Sequence, residues 1–195
     1  MTNVLIIGAT GSIARVATAL FLKDTDARLT LFARNARRLG KLDSARVRVV
    51  EGDVLDTAKL TDAMAGQDVV YANLAGDLVP MARSVVQAMD AAGVRRLVWI
   101  SSMGIYDEVP GQRYSRVLDP YRDSARVIEA SDLDYTILRP GWFTNDDDIE
   151  YESTHKGEPF RGHDISRRSL ASLVVKLVTT PGLEARQSLG VNAPV

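Results

Sequence analysis

The chain of 195 residues contains no cysteine and only two histidines. The first absence excludes disulfides, thiolate nucleophiles and cysteine-ligated zinc, and it suits a reducing, cytoplasmic setting. The second leaves His155 and His163 too few for a histidine-rich metal centre, so each reads as a surface loop residue. Neither sign of charge dominates: 24 Lys and Arg stand against 25 Asp and Glu. No global field therefore points to nucleic acid or to an anionic membrane. No apolar run is long enough to span a bilayer, and no charged leader with an apolar core and a cleavage site precedes the first apolar run. No internal repeat, low-complexity tract or linker divides the chain, and the expectation is a single domain over residues 1–195. With 46% hydrophobic residues it can bury a sizeable core.

What is present begins at the N-terminus. Val4-Leu5-Ile6-Ile7 is a short apolar run rich in β-branched residues, as a strand buried on both faces requires. Gly8-Ala9-Thr10-Gly11-Ser12-Ile13-Ala14 follows. Gly8 and Gly11 remove side chains where the backbone must turn sharply and approach a pyrophosphate, and Ala14 is small enough for helix and strand to pack. Ser12 can cap the helix, whose free N–H groups and positive end suit a dianion. Ile13, Val16, Ala17, Leu20 and Phe21 then recur at helical spacing, and Leu29 to Ala33 is the next apolar run. The order strand, glycine turn, helix, strand is the opening of a dinucleotide-binding unit.

The second strand, Arg28 to Ala33, ends in Arg34, where NAD-binding proteins usually carry an acidic residue for the ribose diol. With Arg37 and Arg38 close behind, a planar guanidinium there suits the 2′-phosphate of NADP better than the hydroxyl of NAD. Val47 to Val50 reads as a third strand, and a helix follows from about Asp56 to Met64. Asp53 and Val54, at the carboxyl edge of the third strand, can cover an adenine; capping the following helix is the competing role for Asp53. Val69 to Leu74 reads as the fourth strand, ending in Ala75-Gly76, and Met81 to Ala92 as a helix closed by Gly93.

Arg96 to Ile100, the fifth strand, delivers Ser101 and Ser102 to the same edge, where a hydroxyl can donate to a substrate oxygen or cap the strand end. From Ile105 to Leu118 no period holds, and the loop is either a lid or is packed down by Tyr106 and Tyr114. Asp119-Pro120 reads as N-cap and first residue of a helix through Ala130. Asp134 to Arg139 is the sixth strand. After Pro140 and Gly141, Trp142 and Phe143 make either an apolar floor for a flat substrate or ordinary core. Asn145 to Asp148 lacks the glycine and the ligand spacing of a calcium loop and reads as a solvated acidic turn, so no metal is expected. Residues 149–160 suggest a small hairpin, Arg167 to Val178 an amphipathic helix, and Ser188 to Val191 a last edge strand. The alternation predicts an α/β Rossmann fold: a doubly wound, mostly parallel sheet with helices on both faces and a small substrate-side region at about 141–165.

Gly8 to Ala14, Arg34, Gly52-Asp53-Val54, Asn73 to Gly76, Ile100-Ser101-Ser102 and Leu138 to Trp142 together resemble the atypical short-chain dehydrogenase/reductases over essentially the whole chain. Within them the chain is similar to the compact group of NmrA-like proteins and biliverdin-IXβ and flavin reductases. The resemblance implies an NADP(H) site, with Gly8, Thr10, Gly11, Ser12 and Ile13 around the pyrophosphate and Arg34 at the 2′-phosphate. It also implies Asp53 and Val54 at the adenine, Leu74, Ala75 and Gly76 at the ribose, and Pro140 to Phe143, with Trp142 between them, near the nicotinamide.

One departure bears on the chemistry. Typical members place a lysine one helical turn after a tyrosine, lowering the phenol pKa so that it exchanges a proton with substrate. Here Ala125 follows Tyr121 at that spacing and Leu118 follows Tyr114. Alcohol dehydrogenation and sugar-nucleotide epimerisation both need that pair. A flavin or quinone, which accepts hydride into a conjugated ring, takes its proton from solvent. The expectation is therefore an NADPH-dependent reductase of a flat small-molecule acceptor, with NAD as a possible substitute. Ser101, Ser102 and Tyr121 are the candidates to orient a carbonyl. The alternative is a non-catalytic NADP(H)-binding sensor acting through a protein partner.

Overall fold

Four successive apolar residues in a strand must be covered on both faces, and in the computed structural model, which describes residues 1–42 and 45–195, β1 (Asn3–Ile7) is so covered from Val4 to Ile7. It lies between β2 (Arg28–Ala33) and β4 (Val69–Ala72), parallel to both, with Val4 opposite Leu29 and Val69. β3 (Val47–Glu51) pairs outside β2. β5 (Arg96–Ile100) and β6 (Asp134–Pro140) extend the sheet beyond β4, again in parallel. The helices α1 (Ser12–Asp24), α2 (Thr57–Met64), α3 (Leu78–Ala92), α4 (Asp119–Glu129) and α5 (Arg167–Thr179) supply the crossovers.

They divide between the two faces. Alternate residues of β1 point to opposite sides: Val4 and Ile6 join Ala17 and Phe21 of α1 and Leu170 and Val174 of α5. Leu5 and Ile7 join Leu60 of α2, Val85 and Met89 of α3 and Ile128 of α4. Each large side chain so buried contributes roughly 1.5–3 kcal/mol.

The far side of the sheet departs from expectation. β10 (Gln187–Asn192) is no edge strand: it lies between β6, to which it is parallel, and β8 (Glu152–His155), which is antiparallel and forms the edge. No hairpin closes within residues 149–160, because β8 bonds to β10 instead. Gly190 makes this pairing possible, since a Cβ there would stand 2.6 Å from the Thr154 hydroxyl and 2.8 Å from the Phe160 ring. His155 accordingly sits at the end of a strand, beside Glu184 at 3.2 Å. A separate two-stranded ribbon pairs β7 (Trp142–Thr144) with β9 (Asp164–Ser166).

Several ends also shift. β4 stops at Ala72, two residues early, although the Asn73 N–H still donates to the Ile7 carbonyl of β1 at 3.0 Å. α3 starts one turn early at Leu78, with Pro80 in the first turn where its missing N–H is tolerated. Asp119 is the first residue of α4 and not its cap, because a 3₁₀ turn over Arg116–Leu118 runs into the helix. The helix α2 is capped by Asp56, whose carboxylate accepts from the Lys59 N–H at 3.1 Å.

The substrate-side loop between β5 and α4 is held by a buried ion pair. Arg139 of β6 is fully buried and donates to Glu108, whose side chain is 4% exposed. The Glu108 oxygens also accept from the N–H groups of Gly104 (3.0 Å) and Tyr106 (2.9 Å), while Arg139 Nε donates to the Ser188 hydroxyl at 3.1 Å. Removing one partner strands the other charge in the core. Arg139→Met is expected to cost about 3–5 kcal/mol in urea unfolding, and the double variant Arg139→Met/Glu108→Leu to recover much of that loss; equal stabilities of single and double variants would refute it.

Candidate functional site

The chain leaves β1 where the sheet begins to grow the other way. Gly8 takes φ +74°, a conformation that penalises any residue with a Cβ. Its N–H and that of Ala9 donate to the Phe32 carbonyl at 3.1 and 3.3 Å, and the Gly11 N–H closes the turn onto the Gly8 carbonyl at 2.9 Å. The exit of β4 lies directly against this turn. A Cβ on Gly8 would stand 2.1 Å from the Asn73 carbonyl oxygen, and one on Gly11 would stand 2.3 Å from the Asn73 side-chain nitrogen. Neighbouring chain therefore demands both glycines before any ligand arrives, a role for Asn73 that local sequence does not reveal.

Ser12 is not the helix cap. Gly11 occupies that position and no side chain caps α1, which begins at Ser12 and has no acidic residue in its first turn. The N–H groups of Ser12, Ile13 and Ala14 thus have no acceptor within the helix. Together with the helix dipole they suit an anion.

A cleft of about 460 Å³ opens beside the turn, walled by Gly8, Thr10, Gly11, Arg34, Val54, Leu74 and Ala75 of the expected residues. Asn35, Arg38, Asn73 and Met81 also line it, as does Gly52, where a Cβ would stand 2.7 Å from the Phe32 ring. The side chains of Arg34, Arg37 and Arg38 are exposed and have no hydrogen-bond or ion-pair partner among the described residues. The nearby Glu51 carboxylate accepts instead from the Ala36 N–H at 2.8 Å. Arg15 bridges the two loops, donating from Nε to the Thr10 carbonyl at 3.1 Å and from Nη2 to the Arg38 carbonyl. The sequence offers no spacing signal for that bridge. The chemistry of this wall, unclaimed N–H donors at one end and unpartnered guanidinium groups at the other, fits a phosphorylated dinucleotide.

Other expected residues lie outside the cleft wall. Ile13 is buried in the core, and Gly76, at φ +106°, is exposed. Asp53 is exposed and its carboxylate accepts from the Leu55 N–H at 2.9 Å, a local turn rather than a helix cap. At the substrate end, Ser101 is buried with its hydroxyl unpartnered among the described residues, and Ser102 donates to the Met103 carbonyl at 3.2 Å. Tyr121 is half-buried against the core, and no hydrogen bond joins it to either serine. Pro140 is buried. Trp142 and Phe143 are not core: they are 63% and 39% exposed.

In the loop above, Tyr106 packs down and Tyr114 does not. Tyr106 lies under Lys156 and Arg139, 4.2 and 5.1 Å from its ring centre, and donates to Glu129 at 2.7 Å. Burial pushes its phenol well above the usual range, so it stays neutral. Tyr114 is 62% exposed and donates to Asp119 at 2.7 Å. In the acidic turn, Asp147 pairs with Arg168 at 3.3 Å. No cluster of metal-ligating side chains forms among the described residues, and no helix there is long and apolar enough to cross a membrane.

A family model described as NAD(P)H-binding matches residues 8–181. The fold and 44% of the residues are shared with a Rossmann-fold NAD(P)-binding family protein from Shigella flexneri, over 100% of this chain and 94% of that one, with a TM-score of 0.88. A short-chain dehydrogenase/reductase from Veillonella parvula, solved in complex with NADP, is 29% identical over 99% of this chain and 95% of its own, with a TM-score of 0.90. Quinone oxidoreductase 2 of Escherichia coli (strain K12) is 26% identical over 143 residues, 71% of this chain and 48% of that protein. The chain thus spans about half the length of that curated relative.

The two glycine contacts differ in kind, and a double-mutant cycle separates them. Gly11→Ala meets a side chain, so Asn73→Ala is expected to relieve its cost with a coupling of about 1–3 kcal/mol. Gly8→Ala meets a backbone carbonyl at positive φ, and Asn73→Ala is expected to leave its cost intact. Equal coupling at both positions in thermal unfolding would refute this account.

Proposed function

The chain belongs to the NAD(P)H-binding family, and from that premise we propose that it is an NADPH-dependent reductase of a flat conjugated acceptor, a flavin or a quinone. The observation that carries the choice of chemistry is Ala125. It is fully buried on α4, in the apolar cluster that α4 shares with α3 and the sheet, at the position where a proton-relay lysine would follow Tyr121. An ammonium group there would be desolvated without a partner. The proposed reaction accordingly needs no protein acid: the dinucleotide supplies a hydride, the conjugated ring accepts it, and water supplies the proton. The protein contributes alignment and exclusion of solvent.

In this reading the first turn of α1, with Gly8, Thr10, Gly11, Ser12 and Ile13, holds the pyrophosphate. Arg34 holds the 2′-phosphate, and Val54 and Asp53 cover the adenine. Leu74, Ala75 and Gly76 line the ribose, and Pro140, Trp142 and Phe143 flank the nicotinamide and the acceptor. The exposure of both aromatics supports a platform for a flat ring. The quinone oxidoreductase among the relatives supports the acceptor class at low identity. The absence of cysteine suits a cytoplasmic setting.

Mixing the purified protein with NADPH and a panel of flavins and quinones, and following the nicotinamide absorbance, tests the proposal. Tight cofactor binding without turnover of any acceptor would favour a sensor that acts through a protein partner, since the missing lysine suits that role too.

Arg34→Ala is expected to weaken NADPH by roughly 1.5–3 kcal/mol and to leave NADH almost unchanged in direct titrations; equal losses would remove the 2′-phosphate assignment. Tyr121→Phe is expected to retain turnover within a few-fold. A loss on the order of 10²–10⁴ would mean that the phenol is a general acid after all.

A further inference from the structure

Arg167 stands where local rules disfavour it. It opens α5 with Arg168 beside it, two cations in the first turn of a helix whose dipole end is already positive. Arg168 is compensated by Asp147 at 3.3 Å. Arg167 has no carboxylate partner among the described residues. Its Nη1 donates to the Thr144 carbonyl at 3.0 Å and to the Asn145 side-chain oxygen at 2.7 Å. Its guanidinium carbon lies 5.4 Å from the centre of the Phe143 ring, and Nε makes a long contact of 3.4 Å to the Ser12 hydroxyl. These acceptors are neutral: they orient the fork without balancing its charge, and Nη2 has no partner among the described residues. Because α1 and α5 pack side by side, the unbalanced charge stands at the uncapped first turn of α1, 155 residues away in sequence. A local rule broken this way, with no carboxylate against the guanidinium among the described residues, marks a place where a ligand completes the structure.

We propose that Arg167 is a second ligand of the dinucleotide's pyrophosphate, gripping from the α5 side the anion that the N–H groups of α1 hold from the other. The Ser12 contact decides for the cofactor over an anionic group of the acceptor, because it brings the guanidinium to the turn that receives the pyrophosphate. By stacking on Phe143, the same side chain ties the phosphate grip to the aromatic platform. The inference rests on the cofactor reading above and extends it to an element that the glycine motif does not include.

Calorimetric titration separates the two. The ligands are NADP⁺ and adenosine 2′-monophosphate, which keeps the adenosine and the 2′-phosphate but lacks the pyrophosphate. Arg167→Ala is expected to weaken NADP⁺ about 10- to 100-fold and to leave adenosine 2′-monophosphate unchanged. Arg167→Gln, which retains amide donors for Thr144 and Asn145, should show the same loss, and Arg167→Lys should recover part of it. Arg168→Ala should change neither ligand. Unaltered NADP⁺ affinity in Arg167→Ala and Arg167→Gln overturns the proposal, as does a parallel loss of both ligands. So does intact NADP⁺ affinity with a raised KM for flavin mononucleotide but not for riboflavin, which would assign the arginine to an anionic acceptor. Failure of the unsubstituted chain to bind NADP⁺ overturns the cofactor reading and this one with it.

Discussion

The contact between Gly8 and the Asn73 carbonyl is the constraint on which the crevice depends. In a doubly wound sheet the strands on either side of the switch point send their following helices to opposite faces, so their carboxyl ends part and leave an opening. That geometry holds only if β1 and β4 can turn away while still touching. A Cβ at Gly8 would stand 2.1 Å from backbone oxygen, and either strand would have to move. The Phe32 carbonyl takes both N–H groups at the start of the turn, which ties the end of β2 to the same corner. One glycine thus fixes the relation of three strand ends, and the arginines that follow β2 are aimed by it indirectly.

The other end of the sheet is organised by charge. Arg139 and Glu108 are both out of solvent: Glu108 accepts from the backbone of its own loop, and Arg139 ties that loop to β6 and, through Ser188, to β10. Such a pair contributes little net stability compared with apolar residues of the same volume. What it does supply is a single position for residues 101–118, because any other arrangement leaves an unpaired ion in the core. Tyr106, placed under Arg139 and Lys156, extends the clamp to β8. The aperiodic stretch, which reads as either a lid or a packed loop, is therefore held down around Tyr106, while Tyr114 and Val117 are strongly exposed.

The sequence made the first half of this fold legible because its signals are local. A β-branched run, two glycines and a helical stripe each declare themselves within a few residues, and seven of the expected cofactor residues do line one cleft. The second half resisted for a physical reason. β8 reads Glu-Ser-Thr-His, with no apolar alternation, and becomes a strand only because β10 offers it a register, Leu189 against His155. Trp142 and Phe143 read as a floor or, more often for two aromatics after a strand, as core, since composition cannot say whether a neighbour will cover them. Arg167 carried the weakest signal of all: two arginines at a helix start are noticeable only once the helix boundary and the missing carboxylate are both known.

The lysine's absence is more than a substitution. Ser124, Ala125 and Ile128 form the buried stripe of α4, which packs against α3. A lysine at 125 would have to place its ammonium in that seam. The cation nearest to Tyr121 in sequence is Arg122, and it is already engaged: it donates to the Ile105 carbonyl at 2.8 Å and pairs with Asp119 at 3.0 Å. Its guanidinium also lies 5.0 Å from the Tyr114 ring centre. The helix that in related folds aims a proton relay at the substrate is here turned to hold the loop above it. With the relay's position filled by core and its neighbouring charge committed to the loop, the reaction we propose for this crevice is one in which the protein positions a hydride donor and the acceptor's own conjugation accommodates the electrons.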